Sequence, residues 1–216
     1  MEERNAALKE GFYSKLFARI YDPFMAKMEQ RILGSYRKVL LQDLQGTVLE
    51  VGSGTGVNFA LYPEGCTVVA SEPSANMLRF AEERLTNGSI RAKIQLVLAG
   101  IGSKELEQHV PEGGYDAIVC TLVLCTIPEP EKALELLKRW LKPNGKLIIL
   151  EHVHAHTQPR RFFHEMLNPA WKHLAEGCNL NRNTVAMLQK HGFVAEWQQD
   201  FIKVLPFYVS VMKKKG

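Results

Sequence analysis

Glu50-Val51-Gly52-Ser53-Gly54-Thr55-Gly56 closes the β-rich run Thr47 to Val51 and opens into three glycines at alternate positions. Glycines so placed let the backbone turn sharply and come close to a ligand where any Cβ would clash. Three readings of such a loop compete. A phosphate-binding P-loop needs Gly-Lys-Ser/Thr at its end, and none follows here. A dinucleotide fingerprint needs Gly-x-Gly-x-x-Gly/Ala; counted from Gly52 its last position is Val57, and the count from Gly54 also fails. What remains is Glu-x-Gly-x-Gly-x-Gly. A carboxylate beside phosphates is repulsive, so Glu50 suits a cationic or zwitterionic nucleoside better than a pyrophosphate.

Working outward, the next β-rich run, Cys66 to Ala70, ends at Ser71-Glu72-Pro73. An acid at this distance from the loop can accept both hydroxyls of a ribose. The alternative for Glu72 is a carboxylate that starts the next helix beside Pro73 and Ser74, and the glycine loop at the right distance favours the ribose. Further strands are expected at Lys93 to Leu98, Tyr115 to Leu124 and Gly145 to Val153. Helices are expected at Ala75 to Leu85 and at Lys132 to Leu141. In the second, Ala133, Leu134, Leu137, Trp140 and Leu141 share a face, and Pro143-Asn144-Gly145 stops the run. Strands alternating with helices, the strands nearly all apolar, imply a parallel sheet covered on both faces. Residues 160–191 read as a helical insert, and Phe193 to Trp197 and Phe207 to Met212 as closing strands. Residues 1–45 read as a helical lid ahead of a domain spanning 46–216, its second helix carrying Met25, Met28, Ile32, Tyr36 and Val39 at helical spacing.

The 216 residues are 46% apolar and 23% charged, an ordinary globular composition. The net charge of +4 gives no reason to expect a nucleic-acid partner, which needs basic side chains gathered on one face. No apolar run reaches the roughly 18 to 20 residues that cross a bilayer. Charged residues interrupt the first twenty positions, so no signal-peptide core is present and a cytoplasmic location is expected. The four cysteines Cys66, Cys120, Cys125 and Cys178 form no CxxC pair and read as reduced thiols. Leu8, Phe12, Leu16 and Ile20 lie on one helical face flanked by Lys9, Lys15 and Arg19. Such a helix can rest on a lipid surface or pack on its own domain, so peripheral membrane contact is one expectation for it. The oligomeric state is left open.

The glycine loop, Glu72, the strand Asp116-Ala117-Ile118-Val119-Cys120 and the turn Leu141-Lys142-Pro143-Asn144-Gly145 together resemble a class I S-adenosylmethionine-dependent methyltransferase. Within that superfamily the chain is similar to the thiol methyltransferase (methyltransferase-like 7) group. The similarity is carried by Val119-Cys120-Thr121-Leu122-Val123-Leu124-Cys125, Glu151-His152-Val153, Asn168-Pro169-Ala170-Trp171 and Gly177-Cys178-Asn179-Leu180. It runs from about Ser35 to the end, and bacterial phospholipid and quinone methyltransferases share the cofactor half. Ser53 stands where the group often has Cys, and Asn168 where it has Asp.

The resemblance implies a Rossmann-like α/β fold: a mostly parallel seven-stranded sheet with an antiparallel C-terminal strand, flanked by helices. It implies S-adenosylmethionine as cofactor and a small, apolar acceptor, thiol first, with a phospholipid headgroup or small amine as the alternative. Glu50, Gly52, Ser53, Gly54, Thr55 and Gly56 should line the methionine and ribose, and Glu72 the ribose hydroxyls. Pro73, Met77, Ala99 and Gly100 should border the adenine, and Thr121 and Leu122 the methionine end and the acceptor. Tyr13 and Tyr21 are placed at the site by chain position, and Trp171, Cys178 and Asn179 as one wall of the acceptor pocket.

Methyl transfer is an in-line displacement in which positioning supplies much of the rate, so no enzyme nucleophile is needed. A thiol near pKa ~8.5 supplies some thiolate unaided. His152, titrating near neutrality, is the candidate general base; a structural histidine beside Glu151 is the bland alternative. His152, His154 and His156 alternate and could in principle hold zinc. Triads with two-residue steps where a strand leaves its sheet are uncommon, and no metal is assigned to them. Two other classes stay in view: a nucleotide-linked oxidoreductase, disfavoured by Val57, and a non-catalytic cofactor-binding module.

Overall fold

The computed structural model describes residues 32–87, 89–154, 157–174, 177–202 and 205–215. Tyr13, Tyr21, the amphipathic segment 8–20 and His156 lie outside the described residues. Seven strands form one sheet: β1 (Gly46–Val51), β2 (Cys66–Ser71), β3 (Lys93–Val97), β4 (Tyr115–Thr121), β5 (Leu141–His152), β6 (Phe193–Ile202) and β7 (Pro206–Lys214). Their order is β3-β2-β1-β4-β5-β7-β6. The first five strands pair in parallel, and β7 runs antiparallel between β5 and β6. This is the sheet that the resemblance implies.

Successive strand residues point to opposite faces, and here both faces are buried. Leu49, Ile118, Cys120, Leu147 and Ile149 join one core cluster, while Val48, Ala117, Val119, Ile148 and Leu150 join the other. That is why the strands read as continuous apolar runs. The helices are α1 (Gly34–Leu41), α2 (Ala75–Asn87), α3 (Lys104–Glu107), α4 (Pro130–Trp140), α5 (Gln158–Leu174) and α6 (Thr184–Lys190). α4 has proline in its first turn, Glu131 near its positive end and Lys138 and Arg139 near its negative end. It buries Ala133, Leu134, Leu137 and Trp140, the face its spacing predicts. The Lys142–Gly145 turn is a bulge inside β5: pairing with β4 begins at Tyr115–Leu141 and resumes at Ala117–Lys146.

The start of the described chain differs from the sequence reading. Leu33, Leu40, Leu41 and Leu44 are buried in the same cluster as Val48 and Val68, so residues 32–45 belong to the α/β body rather than to a lid. The helix also faces differently from its predicted stripe. Val39 is 57% exposed, while Arg37 turns inward. Among the described residues no helix is long and apolar enough to cross a membrane. The chain moves outward from β1 to β3 and then returns to place β4 on the other side of β1. Ligands in such sheets bind where the order reverses, beyond the C-terminal ends of β1 and β4.

Candidate active site

At that switch point β1 turns through Gly52, Gly54 and Gly56, whose φ angles are 64°, 56° and 79°. A Cβ on Gly52 would lie 2.3 Å from Val123 Cγ2, so the loop after β1 sits directly against the loop after β4. Gly54 has nothing within 4 Å of its Cβ position, and its N–H donates to Glu72 Oε2 at 2.9 Å. The other oxygen of Glu72 accepts the Ser74 N–H at 2.9 Å. One carboxylate thus ties the glycine loop to the start of α2, so its helix-starting role is present. Ser53 donates its N–H to Ser71 O at 3.0 Å, but its buried hydroxyl has no partner. An unmet buried hydroxyl costs ~1–3 kcal/mol, which a polar ligand group would offset. The open space over Gly54, this hydroxyl and the Glu72 carboxylate fit a ligand with a ribose and an amino-acid tail.

Glu50 departs from its expected place. It is 1% exposed, and its two oxygens accept from Asn58 Nδ2 at 2.8 Å and from the Tyr62 hydroxyl at 2.9 Å. Burial pushes its carboxyl up to about 7 against those two bonds and the nearby Arg37 charge. Thr121 is also turned inward. Its hydroxyl accepts from Arg37 Nη1 at 2.8 Å and from Asn58 Nδ2 at 3.2 Å, while Arg37 Nη1 also donates to Asn58 Oδ1 at 2.9 Å. Glu50 and Thr121 are therefore corrected from ligand contacts to members of a buried polar network beneath the loop. Thr55 is likewise buried, and its carbonyl is held by Arg84 Nε at 2.9 Å. Sequence reading missed Arg37, Asn58 and Tyr62. A buried acid at the end of β1 demands donors, and Asn58 and Tyr62 follow it closely in the chain.

Around the expected adenine position, the Ala99 N–H bonds to Glu72 O at 3.1 Å, so the end of β3 is locked to the end of β2. Gly100 and Pro73 are half-exposed at the rim, and Met77 is buried on α2.

On the acceptor side, Leu122 carries the one positive φ, 57°, outside glycine among the described residues. The left-handed region costs a residue with a side chain roughly 1–2 kcal/mol. Glu151 anchors the turn that follows: Oε1 accepts the Val123 and Leu124 N–H groups, both at 2.8 Å. Burial pushes Glu151 up to about 7 against those two bonds. Arg182 Nη1 donates to the Leu124 and Ile127 carbonyls and pins the same turn.

His152 is engaged within the protein. Its Nε2 lies 2.9 Å from Cys178 Sγ, and Cys178 Sγ lies 3.6 Å from Cys125 Sγ. The hydrogen bond with Cys125 draws Cys178 down to about 4 against burial, with the bond and charge of His152 and the indole of Trp171 adding to it. Burial alone would lower His152, but the bond to Cys178 and the charges of Cys178 and Glu151 hold it raised. The tentative base is therefore hydrogen-bonded to Cys178. Asn179 is a clamp rather than an open wall: its Nδ2 and N–H both donate to Cys125 O, at 2.9 and 3.0 Å. Asn168 on α5 accepts the Leu180 N–H at 2.7 Å and fastens the insert to this loop.

Comparison with known proteins agrees with this geometry. The family described as "Methyltransferase domain" matches residues 21–196. The chain is 33% identical to thiol S-methyltransferase TMT1B of Rattus norvegicus, covering 94% of this chain and 85% of that protein. It is 34% identical to human thiol S-methyltransferase TMT1A, covering 82% and 72%. Its backbone superposes on a SAM-dependent methyltransferase from Aquifex aeolicus with a TM-score of 0.62 at 20% identity, over 94% of this chain and all of that one. The chain belongs to the methyltransferase-domain family and is a class I S-adenosylmethionine-dependent methyltransferase related to the thiol S-methyltransferases.

Proposed function

We propose that the protein methylates the sulfur of a small, lipophilic thiol. The observation that carries this reading is the engagement of His152 by Cys178, together with the use of Glu151 and Arg182 to hold the turn after β4. An ammonium with pKa ~10.4 needs a base before it has a lone pair to offer. A thiol near pKa ~8.5 needs only to be held in line. The related thiol S-methyltransferases support the same choice.

When bound, S-adenosylmethionine supplies a methyl group on a positively charged sulfur, an electrophile with a good leaving group. Gly52, Ser53 and Gly54 would line its amino-acid tail, Glu72 would accept from its ribose, and Ala99, Gly100 and Pro73 would border its base. Leu122 and Val123 form the floor between the glycine loop and the acceptor side. The acceptor thiol gives its proton to solvent, and its sulfur lone pair forms the new carbon–sulfur bond. The electron pair of the broken bond stays on the departing sulfur.

Calorimetry with S-adenosylhomocysteine should show saturable binding that Glu72→Ala weakens at least about tenfold, the loss of one or more charge-assisted hydrogen bonds. Methyl transfer should proceed with an alkyl thiol and not with phosphatidylethanolamine, and its rate should rise with pH toward the acceptor's own pKa. Transfer to the phospholipid with none to the thiol would overturn the reading.

A further inference from the structure

Three donors from distant parts of the chain meet beside the floor of the site: Cys125 after β4, His152 at the end of β5, and Cys178 in the loop after α5. Their two sulfurs and one ring nitrogen all lie within 4.8 Å of one another, and all three residues are buried. We propose that Cys125, His152 and Cys178 form a binding site for a soft divalent cation, zinc by donor chemistry.

Two thiolates and an imidazole are the donor set that selects zinc over magnesium or calcium, which take oxygen ligands. Zinc bonds of ~2.3 Å to sulfur and ~2.0–2.1 Å to nitrogen imply, at tetrahedral angles, a sulfur–sulfur distance of roughly 3.8 Å and a sulfur–nitrogen distance of roughly 3.5 Å. The sulfurs stand 3.6 Å apart and His152 Nε2 2.9 Å from Cys178 Sγ, each within about 0.6 Å of those spacings, and the third pair lies within 4.8 Å. Charge favours the ion as well. One dication with two thiolates and a neutral imidazole is a neutral unit, the cheapest form in which to bury these groups. Glu151 lies next in the chain, with Oε2 buried and without a hydrogen-bond partner. The surrounding shell is already rigid: Asn179 holds the Cys125 carbonyl, and the Trp171 indole stands near Cys178.

Three protein ligands leave one tetrahedral position for an exogenous ligand. An alkyl thiol is the class a zinc ion so held would take there, a clause that rests on the thiol reading above.

The test uses the full chain, purified reduced and loaded with zinc or with cobalt(II) as a spectroscopic substitute. About one ion per chain should remain after gel filtration. The cobalt form should show a thiolate-to-metal charge-transfer band with tetrahedral d–d absorption. Cys178→Ser and Cys125→Ser should lose at least tenfold in affinity, while Cys66→Ser should retain the wild-type value, with circular dichroism confirming the fold of each. Zinc should also slow alkylation of Cys178 in the unsubstituted protein at least tenfold, a readout that needs no variant. Failure of the reduced protein to retain an ion, or identical binding in the Cys178 and Cys66 variants, would overturn the site. Addition of an alkyl thiol should shift the cobalt band; an unmoved band with the ion retained overturns the open position alone. Calorimetry with S-adenosylhomocysteine reports separately on the methyltransferase reading.

Discussion

The two sides of the switch point are built differently. On the cofactor side, Ser53 aside, the polar groups are satisfied within the protein: Glu50 by Asn58 and Tyr62, Glu72 by Gly54 and Ser74, and Thr121 by Arg37. On the acceptor side, the donors are soft and titratable, and α5 presents Phe162, Met166 and Leu167 to solvent at 62%, 55% and 50% exposure. The cofactor is the same in every turnover, so its cradle gains from being fixed beforehand. The opposite side keeps apolar surface exposed on α5 and buried sulfur beside the turn after β4.

Removing Arg37 should break the rigid side most severely. Arg37→Ala strips a buried charge from Asn58 and Thr121 and leaves Glu50 without its nearby cation. Urea denaturation should record a loss of ~3–5 kcal/mol.

The next largest effect is one of pH. Glu50 is raised from 4.5 to about 7, so the folded chain holds its proton where the unfolded chain has lost it. Its contribution is greatest below pH 4.5 and disappears as pH rises through about 7, a change on the order of 3 kcal/mol at ~1.4 kcal/mol per unit. Glu151, raised to about 7 as well, adds a slope of the same sign, so thermal melts from pH 5 to pH 8 should show both and Glu50→Gln should remove roughly half. An unchanged slope would place the titrating group elsewhere.

Gly54→Ala separates folding from binding. The new methyl meets open space, so only the left-handed backbone at φ 56° opposes it, about 1–2 kcal/mol. Affinity for S-adenosylhomocysteine should fall further than that stability cost, because the methyl occupies the space left for the ligand. Equal losses in both measurements would mean that Gly54 matters only to the turn.

The smallest effect belongs to the open side. Phe162→Ser with Met166→Ser should change stability by less than about 0.5 kcal/mol, since both side chains are exposed. If this face meets the acceptor, KM for a long-chain thiol rises while that for a short one holds.

The sequence disclosed what local geometry dictates. Gly52, Gly54 and Gly56 were visible because each adopts a left-handed backbone that glycine alone adopts cheaply. Glu72 was visible because a parallel neighbour of β1 must end level with it. Arg37 was hidden, since a charged residue inside an apolar helical stripe reads as solvent-facing until Glu50 and Thr121 are seen across from it. The convergence of Cys125, His152 and Cys178 was hidden for a different reason. It depends on β4 and β5 ending side by side and on a distant loop returning to Cys125, which no spacing along the chain encodes.

The position of β7 bears on how the molecule is made. β6 precedes β7 in the chain yet lies outside it in the sheet, so β6 has no partner until β7 has emerged. Until then the outer edge of β5, from Leu147 to His152, offers unpaired backbone groups to any passing strand. The pairing of Glu151 with Tyr208 and of His152 with Phe207 therefore cannot form before β7 has been synthesised. Glu151 and His152 gain these partners only when the growing chain has delivered β7, and a ribosome that stalls before Pro206 releases a sheet whose β5 edge is still open.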